Sequence, residues 1–238
     1  LPDLKKIGGS APVIIIDGWD DATDLRSKAN EAAGNRVCAY FKRELPLGQS
    51  WAIPLPFTYP ERWIPGPWHA DRSGITYYTS VHGGHAHSRL CIADGLRALG
   101  DVADVVTDDN RKRRPSPDDL HQRLWGSLVG VHWNQLLSGS THGWDGFRAW
   151  ENWAYGVAVV SQRPFIEMPH PFTDGENVIW CDDPSEVAIE VKKLLDDPDR
   201  ALRIALAGHL HFKQFHGATS RARYVLKHAG FELKENVT

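Results

Sequence analysis

The chain has 238 residues, of which 42% are hydrophobic and 24% charged, with a formal net charge of −3. This is enough apolar content for one large or two small packed domains, and the charge makes no electrostatic case for general nucleic-acid binding. No apolar run approaches the roughly 20 residues that cross a bilayer, no signal peptide is visible at the start, and three scattered cysteines (Cys38, Cys91, Cys181) without metal-type spacing fit a reducing, cytoplasmic compartment.

In chain order, the β-branched run from Pro12 to Asp17 predicts a buried strand. Asp20 to Ala33 predicts a helix ending near Gly34, and Arg36 to Phe41 a second strand. Asp17, Asp20 and Asp21 cluster between the first two elements. Such acids bind metal or act as a base, or they cap the next helix, and capping is the favoured reading. Lys42, Arg43 and Glu44 alternate in charge and are expected to pair with each other. From Pro46 to Pro67 prolines and aromatics recur without period, as in an ordered linker.

A strand-helix alternation begins at Gly74. Strands are expected at Ile75 to Ser80, Val102 to Val106, Leu128 to Trp133, Val157 to Ser161 and Val178 to Cys181. Helices are expected at Arg89 to Leu99, at Asp118 to Trp125 and, at the end, over about 184 to 196, 198 to 212 and 218 to 229. Asp183-Pro184 and Asp197-Pro198 are cap-and-first-turn pairs, and Gly230 is a stop. The pattern implies an α/β fold: a Rossmann-like parallel sheet with helices on both faces. Ligands of such sheets bind beyond the carboxyl ends of the strands, so the loops after Ser80, Trp133, Leu137 and Ser161 should form one rim.

Two loops invite chemistry and are read conservatively. His82, His85 and His87 fall in a glycine-rich loop, but no carboxylate or cysteine shares it, and a zinc site needs three or four converging ligands; no metal or cofactor is expected. Arg111 to Arg114 form a basic run bounded by prolines, read as a solvated loop.

The most informative stretch is Gly143-Trp144-Asp145-Gly146-Phe147-Arg148-Ala149-Trp150-Glu151-Asn152-Trp153-Ala154-Tyr155-Gly156. Phe147, Trp150, Ala154 and Tyr155 fall at helical spacing and predict one apolar stripe. Glu151 lies inside it, where a carboxylate is costly unless it is met by a partner. That partner is either Arg148, one turn earlier, or a ligand with vicinal hydroxyls. Asp145 or Gly146 opens the helix, whose free amides suit a phosphate.

This segment resembles the donor-binding signature of glycosyltransferases with the B-type fold. It is most similar to the spore-protein-like group of bacterial and phage enzymes, through Gly143, Asp145, Arg148, Trp150, Glu151, Ala154 and Gly156. Phe215-His216-Gly217-Ala218-Thr219-Ser220-Arg221-Ala222 resembles that group's His-Thr-x-x-Arg-Ala helix start. The resemblance extends to Tyr40 to Leu45 and Pro54 to Phe57. It implies transfer of a sugar from a nucleotide-diphosphate donor to an acceptor the sequence does not identify. Glu151 would hold the ribose, and the helix amides near Asp145 to Phe147 the diphosphate, with Gly143 and Arg148 also among the donor-binding residues. Gly83 and Gly84 would let backbone approach the donor, Arg89 would assist at the diphosphate, and the loop from Gly139 to His142 would lie by the sugar. Retaining members carry a second glutamate where this chain has Gly143, and the nearest acid is Asp145, so no catalytic base is assigned.

Residues 1–68 are expected to be the remnant of an acceptor-side domain and linker, and 69–238 the nucleotide-sugar-binding domain. The chain starts at Leu1, read as a fragment or processed product, so a partner supplying the missing acceptor domain is one expectation. Two other readings stay open: a non-catalytic nucleotide-sugar or partner-binding module, and a nucleotide-sugar epimerase or hydrolase.

Overall fold

The computed structural model describes residues 10–19, 23–64, 71–81, 86–108, 116–134, 144 and 146–232. Two parallel sheets organise them. The N-terminal sheet runs in the order β1 (Val13–Asp17), β2 (Val37–Lys42), β3 (Ile53–Pro54), with helix α1 (Arg26–Ala32) crossing between the first two strands. The main sheet contains β4 (Ile75–Ser80), β5 (Ala103–Asp108), β6 (Val129–His132), β7 (Ala158–Gln162) and β8 (Ile179–Cys181), in the order β5-β4-β6-β7-β8. All its pairings are parallel. Helices α2 (Ala86–Arg97), α3 (Pro117–Gly126), α4 (Phe147–Tyr155) and α5 (Pro184–Asp196) connect or follow these strands, and α6 (Pro198–His211) and α7 (Ala218–His228) close the chain.

Every residue of β6 and β7 is buried, as expected of central strands covered on both faces. One face packs Ile92 and Leu96 of α2 with Val187, Val191 and Leu194 of α5. The other packs Leu120 and Leu124 of α3 with Trp150, Trp153 and Ala154 of α4. The predicted caps form: Asp183 and Glu186 make a capping box around Pro184, and Asp197 accepts from the Arg200 amide at 3.0 Å. Each such cap contributes about 1 kcal/mol. Gly156 ends α4 in the left-handed region at φ 65°, which costs a residue without Cβ least.

The structure departs from the sequence reading at several places. The first helix starts at Arg26 rather than Asp20, because the Asp24 carboxylate captures the Arg26 amide (2.9 Å) and guanidinium and so fixes a turn before it. Residues Asp20 and Asp21 lie outside the described residues. Lys42 also has a long-range partner that the local charge pattern did not reveal. It reaches 25 residues back to Asp17 (3.1 Å), which also accepts from the Tyr40 hydroxyl at 2.6 Å and the Trp19 amide at 3.1 Å, and the Asp17–Lys42 pair is almost wholly buried. Asp17 is thus a structural acid. The expected linker contains β3 and a 3₁₀ turn at Glu61–Trp63. Finally, α6 does not simply end: a π-helical turn, Phe212–His216, links it to α7.

Helix α7 returns to the N-terminal sheet, where Tyr224 and His228 meet the Phe41 ring at 6.3 and 6.5 Å. Residues 45–48 also bond to residues 165–167, with the Glu167 amide donating to the Leu45 carbonyl at 2.7 Å. The N-terminal part is therefore fastened to the main sheet's layer by these contacts and by Thr58 and Tyr59, which meet His216 and Gly217.

Candidate functional site

In the main sheet β4 comes first in the chain, β5 lies on one side of it and β6 on the other. The order reverses between β4 and β6, and the crevice outside the carboxyl ends of strands at such a reversal is where open α/β sheets bind ligands. A cavity of about 280 Å³ lies there, walled by Tyr78 and Ser80 from β4, Trp133 and Asn134 after β6, and Gly146 to Arg148 with Glu151 from α4.

Gly146 opens α4, and among the described residues no side chain caps it, so the first-turn amides of Phe147 and Arg148, with the positive end of the helix dipole, belong to the cavity lining. A Cβ at position 146 would stand 3.0 Å from His132 Nε2 and 3.2 Å from Asn134 Nδ2. A side chain here would be tighter than an ordinary contact, so the His132 ring and the Asn134 amide would have to give by a few tenths of an ångström.

Glu151 is 6% exposed yet borders the cavity. Both partners foreseen for it are compatible with its position. Arg148 Nη1 donates to Glu151 Oε2, and Arg148 itself stays 37% exposed, with its guanidinium 5.0 Å from the Tyr78 ring. Burial, the largest influence, raises the Glu151 carboxyl above its usual 4.5, opposed by Arg148 and then His121. The carboxylate is therefore paired with a partly exposed arginine and belongs to the cavity lining.

Arg89, one turn inside α2, donates to the Ser80 carbonyl at 2.7 Å, to the Trp133 carbonyl at 3.2 Å and to Asn134 Oδ1. Three of its five N–H donors thus join the ends of β4 and β6, and burial lowers its pKa from the ordinary value. It brings positive charge beneath the cavity while acting as a strut, a role the sequence reading did not foresee.

The predicted apolar stripe of α4 is broader than expected, and it excludes its first member. Seven residues, Ala149 to Tyr155, are buried, whereas Phe147 is 41% exposed and contacts Phe57 and Tyr59 at 5.9 and 5.6 Å. The helix is enclosed by β7, α3 and α6, so no single face defines its inside. The His216-to-Arg221 motif backs it. Arg221 Nη2 donates to His216 Nδ1 at 2.7 Å, and His216 Nε2 donates to the His170 carbonyl at 2.9 Å. This pattern requires a neutral His216 with its proton on Nε2, consistent with burial, then Arg221, pushing its pKa well down. Both side chains lie against Trp150, with ring and guanidinium 5.2 and 5.6 Å away.

His132, Asn134 and Tyr78 were not singled out from the sequence. A polar residue closing an otherwise apolar strand, as in Val-Gly-Val-His, was the available signal. His132 Nδ1 lies 3.0 Å from Ser161 Oγ, and burial, followed by Arg89, lowers its pKa to about 3. Of the other expected site residues, Gly83, Gly84, His142, Gly143 and Asp145 lie outside the described residues, as do His82, His85, Leu137 and Arg111 to Arg114. Among the described residues no three His, Cys, Asp or Glu side chains converge as a metal site, and no helix is long and apolar enough to cross a membrane.

The parallel sheets, their flanking helices and the switch-point crevice make an α/β architecture of the B-type glycosyltransferase kind. The chain belongs to the glycosyl transferase-like family, whose profile matches residues 88–227. Solved structures share the fold. An α-glucosyltransferase in complex with UDP-glucose and DNA aligns over 95% of this chain and 74% of its own, at 11% identity and TM-score 0.61. The Anabaena protein HepE in complex with UDP-glucose aligns over 91% and 71%, at 10% identity and TM-score 0.57. TarM aligns over 95% of this chain and 52% of its own, at 10% identity and TM-score 0.57. No curated protein sequence matches the chain.

Proposed function

We propose that this chain is a glycosyltransferase of the spore-protein-like group that takes its sugar from a nucleoside diphosphate donor. The observation carrying this is one juxtaposition: the uncapped start of α4 and the buried carboxylate of Glu151 border the same cavity at the switch point. The amides of Phe147 and Arg148 suit the diphosphate, and Glu151, one turn on, suits the vicinal hydroxyls of the ribose. Gly83, Gly84, Gly143 and Asp145 belong to loops that would enclose the donor, and His142 to the loop beside the sugar. UDP-glucose is the first donor to test, since it is the one bound by the α-glucosyltransferase and HepE.

In the reaction an acceptor oxygen bonds to the anomeric carbon as the bond from that carbon to the phosphate oxygen breaks. The leaving nucleoside diphosphate keeps the electron pair, and the acceptor proton passes to solvent or to the leaving phosphate. The helix amides, Arg148 and, at one remove, Arg89 stabilise the charge that grows on the leaving group; on this reading no resident cofactor is needed. Residues 1–68 form the acceptor-side part and 69–238 the donor-side part. The acceptor class is open, and because the α-glucosyltransferase binds DNA, a net charge of −3 does not remove DNA from it.

Calorimetric titration with UDP, GDP and ADP, followed by assay of donor turnover, tests the proposal. One of the three should bind and its sugar conjugate should be consumed. Absence of binding by all three would refute the reading.

A further inference from the structure

His132 closes β6 on the wall of the switch-point cavity. Its side chain is buried, and its two ring nitrogens have different surroundings. The Ser161 hydroxyl donates its one hydrogen to the Gln162 carbonyl at 3.2 Å. In the 3.0 Å contact between Ser161 Oγ and His132 Nδ1, the serine is therefore the acceptor and Nδ1 carries the proton. A neutral imidazole has one N–H, so Nε2 is a bare acceptor. Nε2 is buried and, among the described residues, nothing donates to it. A buried acceptor left unmet is costly and calls for an explanation. Burial, followed by Arg89, lowers the His132 pKa to about 3, so protonation does not relieve that cost near neutral pH. Nε2 also lies beside the start of α4. A Cβ at Gly146 would stand 3.0 Å from it, and Gly146, which borders the same cavity, has no side chain to fill that approach.

We propose that His132 is a specificity residue of this cavity, whose Nε2 accepts a hydrogen bond from a hydroxyl of the bound nucleotide-sugar, on the ribose or on the transferred sugar. The proposal rests on the donor reading above. Chemistry separates His132 from its neighbours. The first amides of α4 and the Arg148 guanidinium are donors and favour phosphate oxygens. An ionised diphosphate oxygen carries no hydrogen and would set lone pair against lone pair at Nε2. A hydroxyl brings the missing donor. The helix start thus holds the diphosphate, and His132 reads a hydroxyl-bearing group beside it.

Calorimetric titration of inorganic diphosphate, UDP and UDP-glucose into the full chain, His132→Asn and His132→Gln tests this. The asparagine amide reaches the place of Nδ1 and keeps a donor for Ser161, but it removes the acceptor at Nε2. The longer glutamine amide returns an acceptor there. His132→Asn should weaken UDP-glucose about tenfold, the equivalent of one hydrogen bond. His132→Gln should restore most of that loss, and diphosphate should bind all three chains alike. A loss shared by UDP places the hydroxyl on the ribose, and a loss confined to UDP-glucose places it on the transferred sugar. A loss that persists with 2′,3′-dideoxy-UDP would give Nε2 to the base and overturn the hydroxyl assignment. UDP-glucose bound equally by the three chains, weakened equally by both variants, or lost in step with diphosphate would overturn the role of His132 and leave the donor reading standing. Failure of every ligand to bind the unaltered chain would overturn the donor reading and this proposal with it.

Discussion

Replacing Glu151 with glutamine separates the ribose contact from the fold around it. Glutamine keeps the shape and one acceptor oxygen but loses the charge and the second acceptor. A hydrogen bond to a charged group contributes about 1.5–3 kcal/mol, so losing one such bond should weaken UDP by about 2 kcal/mol, roughly 30-fold. Stability should hardly move. The lost pair with Arg148, whose side chain is 37% exposed, contributes only about 0–1 kcal/mol because solvent screens it, and removing a buried charge offsets that. Isothermal calorimetry with UDP and with inorganic diphosphate reads the difference. Diphosphate lacks ribose and should bind both chains alike. Equal UDP affinities, or equal losses for both ligands, would refute the assignment. The pH dependence gives a second readout. Burial raises the Glu151 carboxyl, so the folded state holds the proton more tightly than the unfolded chain does. Glu151 therefore adds stability in acid that is lost as the pH rises through its folded value. On the proposed assignment binding runs the other way: the carboxylate would accept from the ribose, so UDP affinity should fall as the pH drops through that value, and this dependence should be absent in Glu151→Gln.

Gly146→Ala would push a methyl toward His132 and Asn134 at 3.0–3.2 Å, costing about 1–3 kcal/mol by overpacking and weakening UDP by shifting the α4 start; thermal unfolding and UDP titration together read both effects. Arg89→Met would leave the Ser80 and Trp133 carbonyls without this donor, lowering stability by about 1–3 kcal/mol, and should weaken diphosphate more than free uridine. Lys42→Met would strand Asp17 beside Tyr40, at about 3–5 kcal/mol in urea unfolding, and pairing it with Asp17→Asn should recover part of that loss.

The sequence carried the alternation and most element ends because those are local. Ile75 to Ser80 is bounded by a glycine and a loop, and Asp183-Pro184 and Asp197-Pro198 each encode their own cap. It carried the position of Glu151 because a lone acid among apolar residues is conspicuous. It could not show what Arg89 holds, since two of its acceptors lie 44 and 45 residues away. Nor could it place Phe147 outside, because helical spacing assumes one buried face and α4 has neighbours all round. The π-helical turn at 212–216 was equally hidden. The residues Phe-Lys-Gln-Phe-His suit an ordinary helix, and what accompanies the bulge is tertiary: His216 reaching the His170 carbonyl and receiving Arg221.

That bulge has a consequence for the site. Trp150 precedes Glu151 and sits one turn from Gly146, and its inner side rests on His216 and Arg221. His216→Phe would keep a ring there but delete the contacts to His170 and Arg221, leaving a buried cation with one acceptor fewer. A stability loss of about 2–4 kcal/mol follows. If this backing sets the angle of α4, UDP affinity should fall severalfold too, although residue 216 is not on the cavity wall. Leu194→Ala is the matched control. It lies in the core on the opposite face of the sheet, should cost about 2–5 kcal/mol, and should leave UDP affinity of the folded protein unchanged. Parallel losses of affinity in both variants would show that general loosening weakens the site, and no loss in either would show that α4 is held from the β6 and β7 side alone. Only the split result supports a donor site whose geometry is fixed by the C-terminal turn.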